Sequence, residues 1–549
     1  MTDCGLARAL FAPRSIALVG ASGDEQKNTA RPLRYLRKHG FKGGVFPVNP
    51  GRDEVLGEKA WPDLKAAAEA AGEAIDHAYV MVPAQAVPDA IADCARAGVQ
   101  VASIYADGFA ELGDEGMIFQ DDVVAMARDG GVRLVGPNSM GVVNVHAAMG
   151  MTTNAALEAP ALVPGPFSVV SQSGTALGAL LSRGQARGFG FSKLVSIGNE
   201  ADLSVGEIAD FLVDDEETGA ILLFLETLRQ ADRLAVAGRR AYEAGKPVIA
   251  YKIGRSDAGR QMAVSHSGAV GGPDKAADAF FRHHGIVRVD SLEALLETPF
   301  LVIGRRPAAA RRAAVLTTTG GGAAMVVDRL GLARVAFAVP PPSVIERMIG
   351  LDIRIGEAPV IDLTMAGARA DIYGPVLRDL IDDGESDAVV CVVGSSAQFR
   401  ADVAVEPIIA EGRGEMPLAV FCVPEAVESL KALTEAGIAG FRTPESCADG
   451  VRAYLDWRPP AAPAATKDDD GGLAAATKLL AAAKAPRLDE IQALEVFRAL
   501  GIDAARHWVM TDKKAPKGVR YPAAAKVLSG NVPHKTDAGG VALAIADDA

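Results

Sequence analysis

His266 sits in the run RQMAVSHSGAVGG (260–272), flanked by Ser265, Ser267 and Gly268. An imidazole among small residues is accessible, titrates near neutrality and can attack a phosphoryl or acyl-phosphate group. A partner candidate is Glu226, which closes the apolar run AILLFLE (220–226). A carboxylate at the end of a buried strand can orient an imidazole through its second nitrogen; the alternative for Glu226 is an N-cap or a solvated turn residue. Two further segments read as strand, Gly-rich turn and helix start. The first, SVVSQSGTALG (168–178), carries Ser171, Ser173, Gly174 and Thr175; the second, AAVLTTTGGGAAM (313–325), carries Gly320, Gly321 and Gly322. A helix start offers N–H groups and the positive end of a dipole to an anion, each contributing roughly 0.3–2 kcal/mol. The expected arrangement is that both helix starts converge on a phosphorylated His266. A serine-hydrolase elbow is a poor match, because Ser171-Gln172-Ser173-Gly174 lacks the glycine two positions before the serine.

A third turn lies near the N-terminus. The strand SIALVG runs into ASGDEQKN and then a helix, leaving N–H groups for phosphate at the helix start. Gly20 and Gly23, with Ser22 between them, do not make G-x-G-x-x-G, and a plain βα turn is the other reading. The next strand ends in Val48-Asn49-Pro50 with Arg52 beyond, where an NAD binder places an acid for the ribose. A cation there suits the 3′-phosphate of CoA or the 2′-phosphate of NADP, unless Arg52 is merely a solvated charge. In the last stretch, Lys526 ends a strand and His534 opens H-K-T-D-A-G-G-V (534–541); both have a bland reading, as a strand end and a surface loop.

The elements that must hold these residues follow one rhythm, a short β-branched run, a Gly-rich turn and a helical pattern. Examples are HAYVMVP (77–83), PVIAYKIG (247–254) and DAVVCVVG (387–394). Such runs are parallel strands buried on both faces, so the fold class is α/β with several doubly wound sheets. The expected boundaries are 1–150, 160–303 and 312–457, a Pro/Ala/Asp-rich linker over 458–480, and a last piece over 481–549. A net charge of -13 supplies no global basic field for nucleic acid. The 5 cysteines are scattered without a C-x-x-C pair, which suits a reducing compartment and excludes a Cys-based zinc site. No metal ligands are assigned. The N-terminus lacks the apolar run of a secretory signal, and no stretch of about 18 apolar residues marks a membrane span, so the expected location is cytoplasmic.

Taken together, IALVGAS, GFKGGVFPVNP, GFAE (108–111) and GPNSMGVVN (136–144) resemble the CoA-binding domain of ADP-forming acyl-CoA synthetases and of succinyl-CoA synthetase. The resemblance implies a Rossmann-like CoA-binding domain, two flavodoxin-like domains of succinyl-CoA synthetase type and a partial ATP-grasp domain. It implies that Gly20, Ser22, Val48, Asn49, Pro50, Arg52, Val82 and Pro83 surround CoA, with Asn138 and Gly141 near the active centre. It further implies that His266 carries phosphate, that Glu226 steadies it, that SIGNEADLSVGE (196–207) lies beside the same site, and that Lys526 and His534 serve ATP. Asp362 and Ser395 are candidates on the substrate side. The implied reaction joins a small carboxylic acid to CoA while ATP becomes ADP and phosphate, with Mg²⁺ at the nucleotide. The implied partners are a second copy of the chain or a separate ATP-grasp subunit. Because only the opening part of the ATP-grasp domain precedes Ala549, the alternative is a CoA-binding protein without full ligase turnover. An NADP-dependent oxidoreductase is the third reading, disfavoured by the Asn49-Pro50 turn and the SHSGA loop.

Overall fold

The computed structural model describes the chain apart from residues 1–3, 260–261, 263–273, 354–359, 383–384, 413, 463–470, 484–486, 512–515, 531, 533–534, 537 and 548–549. His266 and His534 lie outside the described residues. Two compact units are present, Met1–Ala461 and Ala462–Ala549.

Among the described residues the first unit holds three large sheets and one small antiparallel pair, Glu54–Val55 with Glu58–Lys59. Sheet one contains β1 (Ser15–Val19), β2 (Gly44–Val48), β3 (His77–Val80), β4 (Val101–Ile104) and β5 (Arg133–Val135), all parallel in the order β2-β1-β3-β4-β5. Sheet two contains β6 (Gly141–Asn144), β7 (Met149–Thr152), β8 (Pro164–Ser171), β9 (Phe191–Ser196), β10 (Ala220–Leu225), β11 (Val248–Lys252) and β12 (Val287–Val289). Its order is β12-β11-β10-β8-β9-β6-β7. Sheet three contains β13 (Arg312–Thr317), β14 (Ala336–Phe337), β15 (Ile361–Asp362), β16 (Ala388–Val393), β17 (Leu418–Cys422) and β18 (Ala439–Phe441). Its order is β14-β13-β16-β17-β18, with β15 also pairing β13.

Alternate residues of a strand face opposite sides, and here each side is a different core. Ile16 and Leu18 of β1 join a core shared with sheet two, whereas Ala17 and Val19 join the outer core of sheet one. On β8, Val170 faces that first shared core and Val169 faces a second one, which also takes Val315 of β13 and Val390 of β16. Ala314, Leu316, Val389 and Cys391 line the outer core of sheet three. Three sheets therefore separate four apolar layers, which is why the strands read as unbroken apolar runs and not as alternating ones.

One edge departs from the all-parallel expectation. β6 pairs β9 antiparallel, and β7 returns antiparallel on β6. A parallel return needs a crossover of about a dozen residues or more, and the turn between β6 and β7, closed by Ala148 N–H on Val145 C=O at 3.2 Å, is far shorter.

The second unit, described by itself, has helices Gly472–Ala481 and Glu490–Ala499 and an antiparallel pair, β19 (Ala523–Lys526) and β20 (Val541–Ile545). Asp489 caps the second helix and Gln492 returns the bond, a capping box. Among the described residues no helix is long and apolar enough to cross a membrane.

Candidate functional site

In an open parallel sheet, ligands bind beyond the carboxyl ends of the strands where strand order reverses. In sheet one that point is β1, flanked by β2 and β3. Gly20 follows β1 at φ +82°, with its N–H on Val48 C=O at 2.9 Å. A Cβ on Gly20 would lie 3.0 Å from Val82 Cγ1, so the loops after β1 and β3 touch there. Asn49 bridges the loops after β1 and β2: its side-chain amide donates to Ala21 C=O at 3.1 Å, and its Oδ1 accepts Gly51 N–H at 3.0 Å. The Arg52 guanidinium lies across the first loop, since a Cβ on Gly23 would be 3.2 Å from Arg52 Nη1. Val48, Pro50 and Pro83 are chain neighbours of these groups. The candidate CoA residues are thus gathered at one crevice with an exposed guanidinium at its lip.

The expected helix after ASGDEQKN is present: a 3₁₀ turn over Asn28–Ala30 leads into a helix that starts at Arg31. Asp24 captures the intervening backbone, accepting Gln26 N–H at 3.1 Å on its side chain and Lys27 N–H at 3.1 Å on its carbonyl, while Ser22 Oγ accepts Asp24 N–H at 3.0 Å. The crevice therefore offers loop amides and Arg52, and Ser22 N–H reaches Thr29 C=O at 3.4 Å in the 3₁₀ turn that leads into the helix.

In sheet two the reversal falls at β8, between β9 and β10. A small cleft there is lined by Asn138, Gln172, Gly198, Asn199, Glu226, Thr227 and Arg229. Glu226 directly follows β10 and is buried. Gln172, which the sequence offered only as the middle of a turn, organises this end of the sheet. Its Oε1 accepts Glu226 N–H at 2.6 Å and Thr227 N–H at 3.0 Å. Its Nε2 donates to Glu200 Oε2 at 2.6 Å and to Thr227 C=O at 3.1 Å. Glu200 Oε1 in turn accepts Val205 N–H at 2.7 Å. Burial pushes the Glu200 carboxyl up to about 7, against the pull of the Val205 and Gln172 hydrogen bonds and the Arg229 charge. Burial also lowers the Arg229 guanidinium, with Glu200 and Asp121 acting in the other direction.

The loop from Gly198 closes onto Gly136–Asn138. Asn199 N–H reaches Pro137 C=O at 2.9 Å, and a Cβ on Gly198 would fall 2.1 Å from the same oxygen, so only glycine fits. Asn199 Nδ2 donates to Glu111 Oε2 at 2.6 Å and Gln120 Oε1 at 3.1 Å. Two residues beyond Glu200, buried Asp202 accepts Arg128 Nη2 at 2.8 Å, Arg133 Nε at 2.9 Å and Leu134 N–H at 2.8 Å, tying the loop to β5.

The two helix starts are built alike. Ser171 Oγ donates to Ser173 C=O at 2.6 Å and accepts Ser173 N–H at 3.1 Å; Thr317 Oγ1 does the same with Thr319 C=O and N–H, both at 2.9 Å. Helices Gly174–Gln185 and Gly320–Leu332 follow. Ser173 Oγ caps the first by accepting Ala176 N–H at 3.3 Å. Ser171 Oγ thus shapes the turn as both donor and acceptor, while Ser173 Oγ accepts the cap bond and keeps its O–H as a donor. Thr175 stays exposed. At the second start Asp362, at the end of β15, comes close: a Cβ on Gly320 would be 3.3 Å from its Oδ2. Gly321 faces open space, and Gly322 is packed so tightly that a Cβ would meet Val423 at 2.4 Å. Ser395 opens the 3₁₀ turn after β16. Among the described residues the cleft gathers Asn138, Gln172 and Glu226 but not Gly320, Gly321 or Gly322. In the second unit Lys526 ends β19 with its side chain exposed.

Comparison with known proteins gives a consistent answer. Residues 14–145 match a CoA binding domain, 164–302 a succinyl-CoA ligase like flavodoxin domain and 480–549 an ATP-grasp domain. The chain is 31% identical to the acetate–CoA ligase [ADP-forming] I subunit alpha of Pyrococcus furiosus, over 82% of this chain and 97% of that one. It is 29% identical to acetate–CoA ligase [ADP-forming] I of Archaeoglobus fulgidus, over 98% of this chain and 78% of the relative. A solved structure, the dinucleotide forming acetyl-coenzyme A synthetase 1 of Ca. Korarchaeum cryptofilum in complex with phosphate and ADP, aligns with TM-score 0.71 at 28% identity, covering 82% of this chain and 96% of that one.

Proposed function

The chain belongs to the family of ADP-forming acyl-CoA synthetases, and from that premise we propose that it joins a carboxylic acid to CoA while ATP is converted to ADP and phosphate. The observation that carries this reading is the cleft beyond β8, where buried Glu226 is held by Gln172 at the sheet position at which such ligands bind. The likeness to ligases over nearly the whole chain favours it over a protein that only binds CoA.

In the proposed sequence a ring nitrogen of His266 attacks the terminal phosphoryl group of ATP, and the P–O bond to ADP breaks. A carboxylate oxygen of the acid then attacks that phosphorus, and the P–N bond breaks to leave an acyl phosphate. The CoA sulfur attacks the acyl carbon; phosphate leaves, and the thiol proton passes to phosphate or solvent. Glu226 is assigned to hold the imidazole, and the crevice of Gly20, Ser22, Asn49, Arg52 and Val82 to hold CoA. Each step reverses. Mg²⁺ would accompany the nucleotide; among the described residues no group of three or more His, Cys, Asp or Glu side chains could hold it, so no step is routed through it. Lys526 and His534 are assigned to the nucleotide side. A separate ATP-grasp chain or a second copy is the proposed partner, and the near-complete match to a protein named as an alpha subunit supports the former.

The test is phosphorylation of the protein by acetyl phosphate labelled in its phosphoryl group. Acid-labile label on wild-type protein, absent from His266→Ala, is the expected result. Tight CoA retention with no label on wild type would instead establish the CoA-binding alternative and refute the ligase reading.

A further inference from the structure

We propose that Glu200 is a positioning residue, whose ionised carboxylate fixes the Gln172 side-chain amide in the one orientation that holds the Glu226–Thr227 backbone in place. The inference rests on the proposed role of Glu226 and extends it to a residue that does not line the cleft.

The hydrogen bonds leave one solution. Gln172 Oε1 faces two N–H donors, those of Glu226 and Thr227, so the amide oxygen must point there. Gln172 Nε2 then faces Glu200 Oε2 at 2.6 Å and Thr227 C=O at 3.1 Å. Glu200 Oε1 faces the Val205 N–H at 2.7 Å. Both oxygens of Glu200 thus meet donors, and only the ionised carboxylate accepts at both. Protonation or amidation places a donor against a donor. If Gln172 rotates to relieve that clash, its Nε2 turns toward two backbone N–H groups and leaves both unpartnered in a buried place.

The backbone carries an independent sign. Glu200 lies at φ +55°, in the left-handed region that glycine or asparagine occupies more readily. A glutamate retained in that conformation is held there by what its side chain does. The charged groups facing it are Arg229, from the loop after β10, which favours the ionised form, and Glu207, on helix Val205–Val213, which opposes it. Burial opposes it most strongly and places the carboxyl near 7, so the clamp weakens as the solution turns acid within an ordinary working range.

The experiment uses the full chain and acetyl phosphate labelling, after wild-type protein has shown label. Glu200→Gln is expected to slow labelling about 10–100-fold, the worth of one or two hydrogen bonds, with the CoA dissociation constant unchanged. It is also expected to speed amide exchange in the peptide spanning 222–228. The reciprocal variant, Gln172→Glu with Glu200→Gln, returns an acceptor to both backbone N–H groups and a donor toward it. The bond to Thr227 C=O is replaced by a carboxylate oxygen facing that carbonyl, so labelling should recover in part. In wild type the acidic limb of the labelling rate should be steeper than in Glu200→Gln, where protonation of the attacking imidazole alone sets it. Full-rate labelling by Glu200→Gln with an unaltered pH profile would overturn the proposal, as would a reciprocal variant no faster than the single one. Absence of label on wild type would overturn the ligase reading itself, a different failure.

Discussion

Asp202→Asn tests how the candidate site is tied to the first sheet. The carboxylate is buried, and it receives Arg128, Arg133 and the Leu134 amide. Asparagine keeps one acceptor oxygen, which can retain Leu134 and Arg133, but turns an NH₂ toward Arg128 and removes the negative charge between two cations. Losing one partner of a fully buried pair costs about 3–5 kcal/mol. Arg133 is 31% exposed and Arg128 57% exposed, so solvent screens part of that loss. An expected destabilisation of about 2–3 kcal/mol follows, mostly through Arg133 and the backbone amide. The assay is urea unfolding followed by Trp61 fluorescence, with Trp457 and Trp508 replaced by Phe in both proteins so that the signal comes from the first sheet. Arg128→Leu alone should cost well under half as much. A midpoint shift for Asp202→Asn worth less than about 0.5 kcal/mol, the ordinary range of surface substitutions, would refute the claim that this carboxylate joins the two sheets.

Three further outcomes are expected. Arg52→Ala should weaken CoA about tenfold, the worth of one charge-assisted contact, yet leave 3′-dephospho-CoA unchanged in calorimetry; equal loss for both ligands would remove Arg52 from the phosphate. The Glu200 carboxyl sits at about 7 in the folded protein against an ordinary 4.5, so the folded state holds this proton more tightly. Its contribution to stability is complete below about pH 4.5 and is lost as pH rises through about 7, up to roughly 3 kcal/mol; Glu200→Gln should flatten the stability–pH curve over that window, and a parallel curve would contradict the assignment. Glu297 and Arg187 form a buried pair at 2.5 Å, and Arg187 also donates to Gly440 C=O on β18 at 2.8 Å. Glu297→Ala should therefore destabilise by about 3–5 kcal/mol, with Arg187→Met/Glu297→Met recovering most of it in the same urea assay.

Much of the scaffold was readable because parallel strands covered on both sides leave unbroken apolar runs. SIALV, HAYV and AILLFL each became a strand, and the residue after each run became a loop at a strand-order reversal. That is why Gly20, Asn49 and Glu226 could be placed at strand ends from type and position. What stayed hidden depends on partners distant in sequence. Gln172 gains its importance from Glu226 and Glu200, and nothing in S-Q-S-G announces four hydrogen bonds. The role of Glu200 needs its left-handed backbone, which G-N-E-A does not reveal. The course of the loop between Gly20 and the helix at Arg31 depends on Asp24 capturing nearby amides, a competition between local bonds and helix that charge pattern alone does not decide. The antiparallel β6–β7 edge follows from short links, whereas the apolar rhythm suggested parallel strands throughout.

The passage from β5 to β6 is only Gly136-Pro137-Asn138-Ser139-Met140, yet it leaves one sheet, enters the next and supplies Asn138 to the cleft wall on the way. Hinge bending between these two layers would therefore displace the cleft wall itself. The same economy constrains how such a gene can be cut: nicking or permuting the polypeptide inside this five-residue strap would dismantle the cleft, whereas the Pro- and Asp-rich stretch after Trp457 carries none of the residues assigned to it.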